Sequence, residues 1–384
     1  MSLDPATKTQ LLDMVERFVK ERLQPAEEQV ERDDAIPADI VSDMRELGLF
    51  GLAIPTEYDG LGLTMEEEVE VAFLLGQTSP AFRSLIGTNN GIGSQGIILD
   101  GTEAQKTHWL PKMAAGEAVG SFALTEPDVG SDAASIRLTA ERDSEDYILN
   151  GTKRYITNAP IADVFTVLAR TNPEVKGAKG ISAFLVPATL SGISIGKPDK
   201  KLGQRGTKTA DVIFENCRVP AQSIIGGEAG KGFDTAMKVL NRGRLHIAAI
   251  CVGAATRILN DALAYAMQRK QFGQPIAQFQ LIQAFLADSR AELMAGRAMV
   301  LEAARKRDRG EKVNLDASCS KLFCSEMVGR VADRALQIHG GAGYMAEYAI
   351  ERQFRDVRLF RIYEGTSQIQ QLVIAREMIA AVDE

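Results

Sequence analysis

Helical and strand-like patterns occupy separate parts of this chain, and that separation limits the folds it can adopt. Residues 7–23 carry apolar side chains three and four positions apart, as an amphipathic helix does, and helical patterns continue to about residue 120. Short apolar segments separated by turns follow, and long helical segments return beyond Gly232. Because strands and helices do not alternate, a doubly wound nucleotide-binding sheet is disfavoured. The sequence instead predicts three domains, at residues 1–120, 121–230 and 231–384.

The middle and C-terminal domains are predicted from different periodicities. Asn150-Gly151 has the signature of a β-hairpin turn between two strands, and further strands are predicted at residues 164–169, 181–187 and 210–214. Short strands joined by turns favour an antiparallel sandwich or barrel. Three or four long amphipathic segments after Gly232 predict an antiparallel four-helix bundle. The predicted fold class is therefore multidomain α+β, with a helical domain, a β domain and a helical bundle in that order.

Charge and hydropathy argue against several classes of function. The chain has 44 basic and 51 acidic residues, a net charge of −7, and no basic cluster, so nucleic-acid binding is not expected. The longest apolar run, residues 247–255, is too short to span a membrane. The first ten residues lack the basic and apolar segments of a secretory signal. These features favour a cytoplasmic protein, or the mature form of an organellar matrix protein.

Metal binding and two common active-site motifs receive little support. The three histidines have no partner at the spacing of metal ligands and the four cysteines form no CxxC pair, so no metal site is expected. Residues 91–96 fit GxGxxG, but their surroundings are helical, whereas a dinucleotide fingerprint follows a strand and opens a helix. These glycines predict tight packing, or room beside a bound chain. A serine nucleophile is not supported either, because no GxSxG motif occurs.

Two distant segments have the composition of a cofactor and substrate site. One contains Glu364, a single carboxylate in an otherwise uncharged polar run that extends to Gln370. The other runs from Phe122 through Thr125 to Ser131, where main-chain amides and hydroxyls can hold a polar ring edge and a phosphate. Alone, the second segment is better explained as a surface turn. A carboxylate base that faces a flat, hydrogen-bonded cofactor accounts for both.

Three further segments each have a functional and a structural interpretation. Tyr155 and Thr157 can lie beside the same flat ring, or can simply pack in a sheet. Arg269, at the end of a long helical segment, can bind a pyrophosphate through its planar guanidinium or stabilise the helix C-terminus. The glycines that follow Gln337 can cap a helix, or can allow close approach of another backbone.

Together these segments resemble the acyl-CoA dehydrogenases, a family of flavoproteins, from about residue 8 to the end of the chain. The order and spacing of four segments carry the resemblance: Thr125-Glu126-Pro127 with Gly130-Ser131-Asp132, Arg269-Lys270-Gln271-Phe272-Gly273, Gln337 with Gly340-Gly341, and Tyr363-Glu364-Gly365-Thr366-Ser367-Gln368-Ile369-Gln370. The resemblance implies the three-part fold predicted above. It also implies a homotetramer with FAD at a subunit interface, and electron transfer to an electron-transfer flavoprotein.

The resemblance further implies which residues bind FAD. Thr157 would lie near the flavin N5, and Tyr155 stands where many relatives carry tryptophan, which preserves a ring-packing role. Residues expected at the flavin or its phosphates are Phe122, Leu124, Thr125 and Ser131. Residues expected to come from a neighbouring subunit and to hold the adenine end and pyrophosphate are Arg269, Phe272, Gln280, Gln337 and Gly341. Thr366 and Gln368 match further FAD contacts.

Glu364 matches the catalytic base of the family. Some relatives carry the glutamate on an earlier helix instead, at a position that is Gly243 here, and glycine has no proton acceptor. The resemblance implies that Glu364 removes the α proton of an acyl-CoA while the β hydride passes to FAD, which yields a trans-2-enoyl-CoA. Arg244 aligns with an arginine that helps to order the active site, although it can also be a charge on a helix surface. Burial is expected to raise the pKa of Glu364.

Other enzymes of similar fold remain as alternatives. An acyl-CoA oxidase would let dioxygen react, but such chains are usually much longer. A desulfinase-like relative would have lost the base, and Glu364 and Arg244 argue against it. A non-catalytic acyl-CoA-binding protein is a further possibility. The glycines at 91, 93 and 96 fall where relatives line the acyl pocket and give a slight preference for a medium or long chain, with packing as the competing explanation.

Overall fold

The computed structural model describes residues 2–383 and confirms the order of a helical domain, a β domain and a helical bundle. Capping boxes fix the first turns of two N-terminal helices, one through Thr64 and Glu67 and one through Thr102 and Gln105. The first helix continues through a π-helical turn into the second and is therefore longer than predicted. The helices are α1 (Pro5–Phe18), α2 (Gln24–Asp33), α3 (Ala38–Glu46), α4 (Met65–Leu75), α5 (Pro80–Asn90), α6 (Gln95–Asp100) and α7 (Glu103–Ala114).

The β domain is a seven-stranded curled sheet. Its strands are β1 (Gly120–Ala123), β2 (Thr139–Asp143), β3 (Asp146–Thr157), β4 (Val164–Arg170), β5 (Ile181–Pro187), β6 (Ile193–Ile195) and β7 (Thr209–Pro220). They pair in the order β1-β4-β2-β3-β7-β6, and β5 also pairs with β4. Most pairs are antiparallel, as predicted, but β1 and a single bridge from β2 run parallel to β4.

The hairpin predicted at Asn150-Gly151 is wrong. Both residues lie inside β3, and the turn between β2 and β3 falls at Ser144, where φ is +59°. Between Leu149 and Gly151 the pairing of β3 with β7 shifts register, which marks a β-bulge. Gly151 has a φ of +140°, and an ideal Cβ there would lie 3.0 Å from Leu138. The glycine therefore serves a bulge and a close approach instead of a turn.

The C-terminal domain is built from four long helices that pack as a bundle around α10, with one short helix at its side. The elements are α8 (Gly232–Gln268), the small hairpin β8 (Lys270–Gln271) and β9 (Gln274–Pro275), α9 (Gln280–Asp308), α10 (Asn314–His339), α11 (Ala349–Val357) and α12 (Ser367–Asp383). α8 also packs against α4, so the two helical domains share one hydrophobic core. α8 is long and apolar enough to cross a membrane by length and composition, but 67% of its most apolar stretch is buried in protein, so it is weak evidence for a span.

Two glycines allow α4 and α8 to approach closely. An ideal Cβ on Gly253 would lie 2.5 Å from the Phe73 carbonyl oxygen, and one on Gly76 would lie 2.5 Å from the Ile250 carbonyl oxygen. Because backbone cannot move aside cheaply, we expect Gly253→Ala to lower the free energy of unfolding by about 1–3 kcal/mol. Chemical denaturation would measure the loss. Gly341→Ala, which adds a methyl group where nothing lies within 4 Å, should not show it.

Candidate active site

Glu364 lies in a left-handed turn that connects a short 3₁₀ turn at Arg358–Arg361 to α12. Its φ is +57° and that of Gly365 is +87°. A left-handed conformation is uncommon for a residue with a Cβ and is found where the surroundings enforce it. Here Lys321 Nζ donates to the Gly365 carbonyl at 2.6 Å, and Gln370 Nε2 donates to the carbonyls of Glu364 and Gly365 at 3.2 and 3.1 Å. These bonds fix the backbone from which the carboxylate projects.

Glu364 is half-buried, and its carboxylate lies against α8 with the Oε2 atom buried. Its Oε2 atom has no hydrogen-bond partner within the described part of the chain. Burial raises the pKa of Glu364, and the positive charges of Arg83, Lys321 and Arg244 oppose that rise. An ideal Cβ on Gly243 would lie 2.6 Å from Oε2. Because Gly243 has no side chain, the Glu364 carboxylate can occupy this space.

One interpretation of the sequence placed Arg244 on the surface of its helix, and that interpretation is wrong. Arg244 is buried, with Nη1 donating to Asn241 Oδ1 at 2.7 Å and to Ser318 Oγ at 3.3 Å. Burial lowers the pKa of Arg244, while the charge of Glu364 raises it. Arg244 does not line the cavity described next, and it acts on Glu364 through its positive charge.

A cavity of about 890 Å³ lies at the junction of the three domains. Six of the residues predicted for the site line it: Thr125, Ser131, Tyr155, Thr157, Glu364 and Thr366. The hydroxyls of Thr125, Ser131 and Thr157 make no hydrogen bond to the described residues, and the Tyr155 ring is 62% exposed with a φ of +58°. Unpaired hydroxyls beside an open aromatic face fit a flat cofactor with a polar edge, so the residues present fit FAD.

A buried ion pair fixes the strand end and turn that carry Thr125. The Glu126 carboxylate accepts hydrogen bonds from Lys153 Nζ at 2.8 Å and from the amides of Arg137 and Leu138 at 2.6 and 2.9 Å. Lys153 is fully buried and also donates to the Leu124 carbonyl at 3.0 Å. Burial lowers the pKa of Lys153 to about 8. Neither side chain was singled out by its chemistry in the sequence, because a Glu and a Lys near turns are ordinary until their burial is known.

The remaining predicted residues do not line the cavity. Phe122 and Leu124 are buried in the hydrophobic core beneath it, and Gln368 is exposed on α12. At the far end of the bundle, Tyr265 stacks on His339 with ring centroids 4.2 Å apart, which brings the ends of α8 and α10 together. Five exposed residues lie at or near the ends of α8, α9 and α10: Arg269, Phe272, Gln280, Gln337 and Gly341.

Polar residues that the sequence did not reveal line the inner part of the cavity. They are Glu68, Arg83, Arg242 and His246, from α4, α5 and α8. The GxGxxG segment lies in the helical surroundings that were predicted, at the end of α5, and its residues Gly91 and Ile92 also line the cavity. No local motif marks the four polar residues, and only the packing of α4, α5 and α8 brings them together.

Family models for the three domains of the acyl-CoA dehydrogenases match this chain in order. The N-terminal domain matches residues 5–117, the middle domain residues 121–217 and the C-terminal domain residues 230–379. The chain belongs to the acyl-CoA dehydrogenase family. It is therefore an oxidoreductase and an FAD-dependent flavoprotein, as the members of this family are.

Relatives and solved structures resemble the chain over nearly its whole length. A probable acyl-CoA dehydrogenase of Bacillus subtilis is 42% identical over 96% of both chains. The CarC subunit of the caffeyl-CoA reductase-Etf complex of Acetobacterium woodii is 39% identical over 91% of both chains. The structure of butyryl-CoA dehydrogenase from Megasphaera elsdenii superposes with a TM-score of 0.94 at 32% identity and covers 99% of each chain.

Proposed function

We propose that this acyl-CoA dehydrogenase oxidises its acyl-CoA thioester to the trans-2-enoyl-CoA, with Glu364 as the base that removes the α proton. The observation that carries the proposal is the Glu364 carboxylate, which projects from a left-handed turn into the cavity with Oε2 buried and unpaired among residues 2–383. A carboxylate held in this way can accept a proton from a ligand. Its raised pKa makes it a stronger base once it is ionised.

The turn around Glu364 supports a second part of the reaction. A thioester carbonyl acidifies the adjacent C–H bond, and the negative charge that develops on its oxygen needs a hydrogen-bond donor. The backbone amide of Glu364 donates to none of the described residues, and we assign it this role. Thr125, Ser131, Tyr155 and Thr157 would hold the flavin ring against the substrate. FAD, when bound, supplies the acceptor for the hydride from the β carbon.

Anaerobic titration of the FAD-loaded protein with straight and branched acyl-CoAs tests this function. We expect the flavin absorbance to bleach with at least one acyl-CoA, and an enoyl-CoA to form in equal amount. A dye-coupled assay would then follow turnover. If none of the acyl-CoAs bleaches the bound flavin, the proposed reaction is wrong.

The electron acceptor is the next part of the proposal. We assign an electron-transfer flavoprotein, because the relative from Acetobacterium woodii is named as a subunit of a complex with Etf. An acyl-CoA oxidase would instead consume dioxygen in the absence of any other acceptor. Measuring oxygen uptake with acyl-CoA alone separates the two, since a dehydrogenase should consume little.

A reductase is the second candidate function, because the same relative is named as a caffeyl-CoA reductase. Reduction of an enoyl-CoA would use the same site in reverse, with Glu364 donating the proton to the α carbon. Turnover in each direction, with a chemically reduced dye and enoyl-CoA or an oxidised dye and acyl-CoA, would decide between them. We expect the oxidative direction to be faster.

We also propose a homotetramer in which neighbouring subunits complete each FAD site. The support is the group of exposed residues at the far end of the bundle, where Phe272 is 93% exposed and Arg269 is also exposed. Exposed apolar side chains extend along the same domain, including Leu281, Met294 and Leu372. Light scattering of the holoprotein would test the tetramer. Arg269→Ala should weaken FAD retention without changing Glu364.

Lys321 is expected to tune the base. Lys321→Met removes the hydrogen bond to the Gly365 carbonyl and a positive charge that lowers the pKa of Glu364. Burial lowers the pKa of Lys321 to about 8, so it is charged at neutral pH. We therefore expect the pKa of Glu364 to rise further and the acid limb of the rate profile to move to higher pH, with about a tenfold loss of rate at neutral pH. The rate of flavin reduction measured against pH would show this shift. Lys312→Met, the same change at an exposed lysine, should leave the pH profile unchanged.

A further inference from the structure

Arg83 is a cation in the cavity without a partner. It lies on α5 and lines the same cavity as Glu364. None of the described residues accepts a hydrogen bond from its guanidinium, and its Nε atom is buried. Gly87, one turn further along α5, leaves room for the side chain, since an ideal Cβ there would lie 3.0 Å from Arg83 Cζ. Arg83 is half-buried, and a buried guanidinium N–H without an acceptor is unfavourable, so the site is suited to an anionic ligand.

The other charged groups at the inner end of the cavity do not supply that anion. Glu68 is already paired with Arg242. Burial, together with the charges of Arg83 and Arg242, lowers the pKa of His246 well below its usual value, so this imidazole is neutral. The inner end therefore carries an excess positive charge on Arg83.

Glu364 is a second carboxylate that lines the cavity, and it does not form a hydrogen bond with Arg83. Both residues line the same cavity, and the charge of Arg83 lowers the pKa of Glu364. Yet Glu364 Oε2 and Arg83 Nε both lack hydrogen-bond partners among residues 2–383. No hydrogen bond joins the two side chains among these residues. Each is therefore available to a different part of one ligand.

On the basis of the proposed function, we propose that Arg83 binds a carboxylate at the far end of the acyl group, and that the substrate is the CoA thioester of a short dicarboxylic acid. The planar guanidinium matches a carboxylate through two parallel hydrogen bonds. A plain alkyl chain would remove water from Arg83 without offering it a hydrogen-bond acceptor. Arg83 therefore disfavours binding of a plain alkyl chain. Because Arg83 and Glu364 line one cavity, a short acyl group can place its thioester at Glu364 and its far carboxylate at Arg83. This inference replaces the slight preference for a medium or long acyl chain.

Matched pairs of substrates test the proposal. The FAD-loaded protein would be assayed with glutaryl-CoA against pentanoyl-CoA and with adipyl-CoA against hexanoyl-CoA, since each pair has the same number of acyl carbons. We expect the dicarboxylic member of at least one pair to have a kcat/KM at least about tenfold higher. Arg83→Met should abolish that preference by lowering kcat/KM for the dicarboxylic member. Arg32→Met, the same change at an exposed arginine outside the cavity, should leave both values unchanged.

A binding measurement separates this inference from the proposed reaction. In the Glu364→Gln background, calorimetric titration should show tighter binding of the dicarboxylic thioester, and Arg83→Met should remove the difference. Equal binding of both members, or a preference for the plain chain, would overturn the inference while dye reduction by acyl-CoAs still supported the dehydrogenase. An equal loss on both members in Arg83→Met would also overturn it, because Arg83 would then act only on Glu364. Preferential binding without flavin bleaching by any acyl-CoA would instead count against the proposed reaction alone.

Discussion

Glu364→Gln is expected to retain FAD and to lose about 10²–10⁴-fold in the rate of flavin reduction by acyl-CoA. Glutamine keeps the shape of the side chain but cannot accept the α proton. The turn should persist, because Lys321 and Gln370 bind its backbone carbonyls and not the carboxylate. Anaerobic stopped-flow spectroscopy would measure the rate, and flavin absorbance after gel filtration would measure FAD retention.

The pH dependence provides an independent check of the same assignment. Glu364 must be ionised to act as a base, and burial raises its pKa, so the rate of the unmodified protein should fall as pH decreases through that raised pKa. This acid limb should be absent in Glu364→Gln. Glu302→Gln, the same change on the surface of α9, should retain both the rate and the limb. Flavin reduction at the normal rate in Glu364→Gln would mean that another group is the base.

The long helices were predictable because their apolar periodicity persists over many turns. Long helical segments were predicted beyond Gly232, and α8 begins at that residue. The Asn150-Gly151 hairpin failed because this dipeptide is compatible with a turn and with a bulge. Only the pairing of β3 with β7, which is remote in sequence, distinguishes the two.

The site was predictable where its residues form local segments, and was missed where only packing creates it. Glu364 and Thr125 stand in distinctive runs, and both line the cavity. Arg83, Lys321 and Lys153 are single charges in a helix or a strand, which the sequence does not distinguish from charges on the surface. Their importance follows from burial and from a missing or an unusual partner, and both properties depend on contacts between residues that are remote in sequence.

Gly243→Ala is expected to reduce the rate of flavin reduction by about 10²-fold without loss of stability. The added methyl group would lie 2.6 Å from Glu364 Oε2, so the carboxylate must move, while the backbone of its turn stays fixed. The side chain can move into the cavity at little cost, and alanine favours a helix over glycine, so thermal unfolding should not shift downward. In the Glu364→Gln background the same substitution should lower the rate of flavin reduction little further, because the base is already lost. An equal loss in both backgrounds would show that residue 243 acts on substrate or flavin directly, not through the carboxylate.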